Sequence, residues 1–277
     1  MRPCFASSLA VVALSGCGFT GSLNVTTFGE EFIPTKIPSE VFTEEPDSDV
    51  TYSKFLITFS NLKVGAEGTD EENVFAGPVV FDMHEAGRHD VTSFTDIEAR
   101  RWDKVSVEVK PAEGTPEKGT DAVTDDDLQL LADGGFSVYV EGTLNRSGDE
   151  KDFAWGFTTS TLFHDCKTAD GGAGVVVPSG AAGTWELTIH GDHLFYDDLQ
   201  NASAKTRLTA IVEADADDDG AVTMAELEAV DLTELPGDQY GTGGAAGVEN
   251  LGDFVAELSR TLVHDTGEGE CTSQSLD

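Results

Sequence analysis

The sequence predicts an α+β fold: an antiparallel β-sandwich-like module at residues 51–190, followed by a small α-helical region at 191–277. Two observations carry this. Between Val50 and His190, apolar residues alternate with polar ones in short runs, with Gly, Asp and Asn clustered between the runs. That is the period of half-buried strands joined by turns. After His190 the apolar spacing lengthens to three and four residues, the period of a helix with one buried face.

The strand runs follow in order. In residues 52–59, Phe55, Ile57 and Phe59 share a face; 79–81 is a short apolar run; 105–109 places Val105, Val107 and Val109 on one side of a strict alternation. Residues 136–144 alternate more loosely, Phe153, Trp155 and Phe157 share a face, and 174–178 and 184–189 complete the set. Trp102, Trp155 and Trp185 fall within strand patterns, where a core role is the ordinary one. One helix interrupts the strands at 124–132, capped by Thr124 with Asp125, Asp126 and Asp127 at its positive end. Beyond His190, helical spacing is expected at 192–199, 205–214, 224–230 and 250–264, with the Gly-rich stretch 237–247 between the last two.

The first residues are not expected to join the fold. Arg2, the apolar run 5–14 and the small residues after it have the form of a secretory signal, residues 1–16. The run is too short to span a bilayer. Residues 17–50, rich in Thr, Glu and Ser with Pro34, Pro38 and Pro46, read as a flexible tether. Leu14-Ser15-Gly16-Cys17 resembles a bacterial lipobox. The resemblance implies cleavage before Cys17, lipid on that cysteine, and membrane attachment in the cell envelope through the lipid. Gly18, rather than Asp, resembles the pattern of outer-membrane sorting. Cys4 then leaves with the signal and Cys17 carries lipid. Cys166 and Cys271 remain as an even pair in an oxidising compartment, so a disulfide is predicted. Free thiols or thiol metal ligands are the alternatives. The bridge would close a loop of roughly 100 residues, worth on the order of 4–5 kcal/mol in the chain-entropy model.

The formal net charge of −36 argues against nucleic acid and anionic membrane surfaces as direct partners. It suits a saline or calcium-rich setting outside the cytoplasm, where cations screen self-repulsion.

Residues 215–226 read Asp-Ala-Asp-Asp-Asp-Gly-Ala-Val-Thr-Met-Ala-Glu and resemble the EF-hand calcium loop. The resemblance assigns Asp215, Asp217 and Asp219 as side-chain ligands and Ala221 as a carbonyl ligand. Thr223 would act through water, and Glu226 would be the closing ligand, with Gly220 at the sharp turn. Ca2+ is the implied cofactor. There is no second such loop, although EF-hands usually pair, so the partner surface is either another helix or the β module.

His190 and His193, three residues apart, can bring two imidazoles together at a strand end and form a candidate second metal site for zinc or copper. The plainer alternative is hydrogen-bonded histidines at a strand-to-helix corner. The disulfide could also bring His164 and His264 together. No nucleophile elbow, phosphate-binding loop, His-Glu-x-x-His or dinucleotide fingerprint occurs, so no enzyme is expected.

The function these features predict is a calcium-binding, lipid-anchored, non-catalytic envelope protein with calcium in a structural role. The alternatives are an envelope lipoprotein that binds or handles a transition metal, and a secreted hydrolase whose site carries no signature. The partner of the β module, an envelope protein or a polysaccharide, is not legible.

Overall fold

Alternation builds sixteen strands in the residues described by the computed structural model, 19–200 and 203–277. The residues read as a signal sequence and as a lipobox, with Cys17, lie outside the described residues. The strands are β1 (Thr20–Gly29), β2 (Ser48–Gly65), β3 (Glu72–Phe75), β4 (Val79–Asp82), β5 (His89–Glu98), β6 (Arg101–Trp102), β7 (Lys104–Val109) and β8 (Glu117–Lys118). They continue with β9 (Val138–Arg146), β10 (Asp149–Phe157), β11 (Thr161–Lys167), β12 (Val175–Val176), β13 (Ala182–Ile189), β14 (Ala221–Val222), β15 (Val263–Asp265) and β16 (Gly269–Ser275). Four helices accompany them: α1 (Asp125–Gly134), α2 (Thr209–Val212), α3 (Met224–Glu228) and α4 (Leu251–Leu258).

The fold is β-rich α+β. Fourteen strands share one sheet, whose main path runs β14-β10-β9-β2-β7-β11-β16-β15-β13-β1-β5. Most pairs are antiparallel, but β1 and β13 run parallel, Leu23 opposite Gly183 and Val25 opposite Trp185. A single apolar cluster holds Leu23 and Val25 from near one end of this path and Phe153 and Trp155 from near the other. The sheet therefore curls around one core; most of the predicted strands lie on its path, β4 pairs with β2 beside it, and β12 pairs with β6 in a separate two-stranded sheet.

A smaller cluster lies on the outer face. Leu56, Val80 and Tyr139 point away from the main core and receive Val123 and Leu131 from the α1 segment. This explains why β2 is apolar on both sides over residues 55–59. Thr124 caps α1 by accepting from the Asp127 amide, and Asp127 bonds back to the Thr124 amide, a reciprocal capping box. Lys54 on β2 donates to Asp127, fixing the start of the helix to the sheet.

Three expectations are corrected. Residues 20–29 are not tether. They form β1, hydrogen-bonded between β13 and β5, with Leu23 and Val25 buried, and Ile33, Ile37 and Phe42 behind them are buried too. Five such side chains outweigh the polar composition, because their burial drives the segment onto the core. The boundary at residue 190 does not divide the chain, since β15 and β16 lie inside the sheet between β13 and β11. The region after His190 is also less helical than predicted. Residues 192–199 form one 3-10 turn at Asp192–Phe195, and 205–214 keeps only the four residues of α2. The backbone around Thr206 is committed elsewhere, to bridges with Phe42 and Tyr196 and to the Arg207 amide bond with the Phe195 carbonyl.

Cys166 on β11 and Cys271 on β16 form a disulfide across neighbouring strands, at the bulge where their register shifts. It ties the end of the chain to its middle. Trp102, Trp155 and Trp185 are all core residues.

Candidate metal centres

The acidic loop hangs on the sheet edge. Val222 is fully buried and β14 pairs in parallel with Asp152 and Phe153 of β10. The Trp155 indole donates to the Val222 carbonyl at 2.8 Å. The surface that supports this unpaired loop is thus the β module. Within the loop, Asp215 accepts from the amides of Asp219 (3.2 Å) and Gly220 (3.1 Å), and Glu226 accepts from those of Ala216 (3.1 Å) and Thr223 (2.9 Å). Gly220 turns the chain at φ +87°, a conformation cheap only without a Cβ.

One carboxylate oxygen each from Asp215, Asp217 and Glu226 lies within 4.8 Å of the others. Asp219 is outside that set and accepts from the Ala221 amide at 2.9 Å. Thr223 caps α3 in a second capping box with Glu226. The helices flanking the loop, α2 and α3, have four and five residues.

Sequence reasoning missed the cation already present. Lys151 of β10 donates to Asp215 at 2.8 Å, with Asp218 and Asp149 at 3.5 and 3.7 Å. Its hydrogen bond is the main cause that lowers the Asp215 pKa. Bonds from Thr223 lower that of Glu226. Both carboxylates are therefore held ionised, as a calcium ligand must be.

The histidines meet in a different place. At the end of β13 the chain turns through Gly191 into the 3-10 turn, which keeps His190 and His193 buried side by side with ring centroids 5.2 Å apart. A Cβ at Gly191 would lie 2.7 Å from the Ile33 side chain, and the Gly191 carbonyl accepts from the buried Tyr52 hydroxyl at 2.7 Å. β15 adds a third ring. His264 lies opposite Thr188, with its centroid 4.1 Å from His190 and 4.9 Å from His193. His164, which the disulfide could have brought to His264, sits on β11 against Asp165 and lines another cavity.

These rings line a cleft of about 740 Å³, together with Glu30, Asp192, Glu268 and Glu270. His190 Nδ1 lies 3.0 Å from Glu30, and His193 Nδ1–H donates to the Thr261 carbonyl at 2.8 Å. Tyr196 donates to one oxygen of Asp192 at 3.2 Å. Burial opposes a charge on His190, but Glu30 outweighs it and the His190 pKa is raised. Burial, with two neighbouring imidazoles, drives His193 well below its usual range. Burial first, then His190, takes His264 down to about 4. Burial raises Asp192.

Glu30 carried no sequence signal, since it falls in the segment read as tether. No described helix is long and apolar enough to cross a membrane. Comparison with protein-family models, curated proteins and solved structures gave no match.

Proposed function

We propose that this chain is a calcium-binding, lipid-anchored, non-catalytic protein of the bacterial cell envelope, in which the ion has a structural role. The observation that carries the reading is the convergence of Asp215, Asp217 and Glu226 on a loop whose centre, Val222, is built into the sheet. Calcium takes six to eight oxygen ligands. The two other loop ligands would come from Asp219 and the Ala221 carbonyl, with Thr223 acting through water. The segment is an abbreviated EF-hand-like unit in which the edge of β10 stands in for the second loop. The ion would hold the loop and α3 against that edge. Anchoring at Cys17, by outer-membrane sorting, suits the disulfide and the acidic composition, both at home in an oxidising, cation-rich compartment.

The test is thermal unfolding with calcium and with a chelator. At a free calcium level a hundredfold above Kd, binding adds about 2.7 kcal/mol. In a chain of this size that is a rise in Tm of roughly 5–10 °C. The rise should vanish in Asp215→Asn with Glu226→Gln. An unchanged Tm in the native chain would refute the calcium reading. Mass spectrometry of the mature amino terminus tests lipid on Cys17.

A further inference from the structure

We infer that the cleft is a second metal site of a different kind: a divalent transition ion, zinc or copper, held by His190, His193 and Asp192, with His264 as a further imidazole beside them. One nitrogen of each of the first two histidines and one oxygen of Asp192 lie within 4.8 Å of one another, and all three residues are buried. This rests on residues separate from the calcium loop and does not depend on it.

Four features of the cleft point to a cation. The first is unmet bonding capacity. Asp192 is 8% exposed, and its Oδ1 is buried with no hydrogen-bond partner. The Nδ1 of His264 is likewise buried and unpartnered. Leaving such groups unsatisfied is destabilising, the more so for a charged one. A metal ion held by His190, His193 and Asp192 would give the Asp192 carboxylate the partner it lacks, and His264 lies outside that set of three.

The second is the outer support of the rings. Metal-ligating histidines almost always give their other N–H to a carboxylate or a backbone carbonyl, which fixes the ring and its tautomer. Here Glu30 faces His190 Nδ1 and the Thr261 carbonyl accepts from His193 Nδ1–H. For His193 this leaves Nε2 to give its lone pair; for His190 the proton on Nε2 must leave before that nitrogen can ligate. His190 Nε2 lies 3.3 Å from the Gly267 carbonyl, a long contact that a metal bond would replace.

The third is rigidity. The Tyr52 hydroxyl holds the backbone between the two histidines, and Tyr196 donates to the Oδ2 of Asp192. The fourth is access. Glu268 and Glu270 line the same cleft, so its field attracts cations. The donor chemistry then selects among them. Imidazole nitrogen with one carboxylate suits zinc or copper, whereas calcium takes oxygen alone.

The test uses the metal-free chain carrying Asp215→Asn and Glu226→Gln, which silences the calcium loop. Co2+ is the spectroscopic probe and Zn2+ the competitor. One equivalent of Co2+ should give ligand-field bands of a nitrogen- and oxygen-ligated four- or five-coordinate ion, and Zn2+ should abolish them. Adding His190→Ala with His193→Ala should weaken binding by more than about 100-fold, and Glu30→Gln by roughly 10–100-fold. Should the double histidine variant fail to fold, the Glu30→Gln measurement decides. A spectrum of aqueous Co2+ alone, or equal binding by the Glu30→Gln chain, overturns the assignment.

Discussion

The indole nitrogen of Trp155 donates to the carbonyl of Val222 at 2.8 Å. Both residues are fully buried, so this bond joins the sheet to the acidic loop in a dry environment. Trp155→Phe leaves the Val222 carbonyl without its partner. The expected cost is about 1–3 kcal/mol from that bond, measured by urea unfolding in the presence of a chelator. Calcium affinity should fall in the same variant, because the loop is no longer positioned by the sheet. A variant that loses stability while keeping native calcium affinity would show that the sheet edge does not organise the loop.

On the proposed calcium reading, Lys151 and the ion would compete for one carboxylate. The ammonium bonded to Asp215 supplies the charge compensation that a calcium ion would provide. Lys151→Met removes the competitor and the repulsion between like charges. Calcium affinity is expected to rise by about tenfold, the order of the repulsion between a divalent ion and an ammonium a few ångström away in water. The calcium-free protein should be less stable than native, since Asp215 keeps its charge and loses its partner. Isothermal titration reads the first effect and thermal unfolding in chelator the second. Weaker calcium binding in Lys151→Met would mean that the lysine supports the loop instead of competing with the ion.

How far such features could be read from the sequence depended on whether a local period carries them. The alternation of Val105, Val107 and Val109 and that of Phe153, Trp155 and Phe157 each mark a strand, and both are strands. β1 was hidden because Thr, Ser and Asn dilute its inward-facing Leu23 and Val25. β15 was hidden because the apolar spacing of α4 runs on through Leu258 and Leu262 with no break before the strand. In the cleft, the i, i+3 pair His190 and His193 was legible. Glu30 and His264 were not, because only long-range pairing brings them there: the Glu30 amide bonds to the Ile189 carbonyl at 2.9 Å, and His264 lies opposite Thr188. Lys151 meets Asp215 for the same reason, through the pairing of β10 with β14.

The attachment of α1 should respond to acid. Burial alone would raise the Asp127 pKa, but the bonds from Lys54 and Thr124 outweigh it and leave it lowered from 3.8. A carboxylate whose folded pKa is depressed contributes stability above its unfolded pKa. That stability is lost as pH falls through the folded value. The helix docking should therefore weaken below about pH 4. Asp127→Asn should be less stable than native at neutral pH and should lose this acid-dependent part of the stability. Thr124→Ala should cost about 1 kcal/mol through the lost cap. Urea unfolding between pH 2.5 and 7 measures both. The same acid slope in Asp127→Asn and native protein would place the titrating group elsewhere.

A last prediction separates a tether from a strand. If residues 17–50 only spanned the distance to the membrane, a chain starting at residue 31 would fold as well as one starting at residue 19. β1 instead supplies the hydrogen-bonding partner of both β13 and β5 and buries Leu23 and Val25. Its loss strips β5 of its partner, exposes the edge of β13, and removes Glu30 from His190. The shorter chain is expected to be unfolded or aggregated, since an unpaired, partly apolar strand edge invites association. Leu23→Asp in the longer chain provides the milder version. It buries an unpaired carboxylate and should cost more than the ~2–5 kcal/mol of removing the leucine side chain alone. Circular dichroism and size-exclusion chromatography of the two chains distinguish the outcomes. A folded, monomeric chain from residue 31 would show that β1 is dispensable and that the sheet closes its core without it.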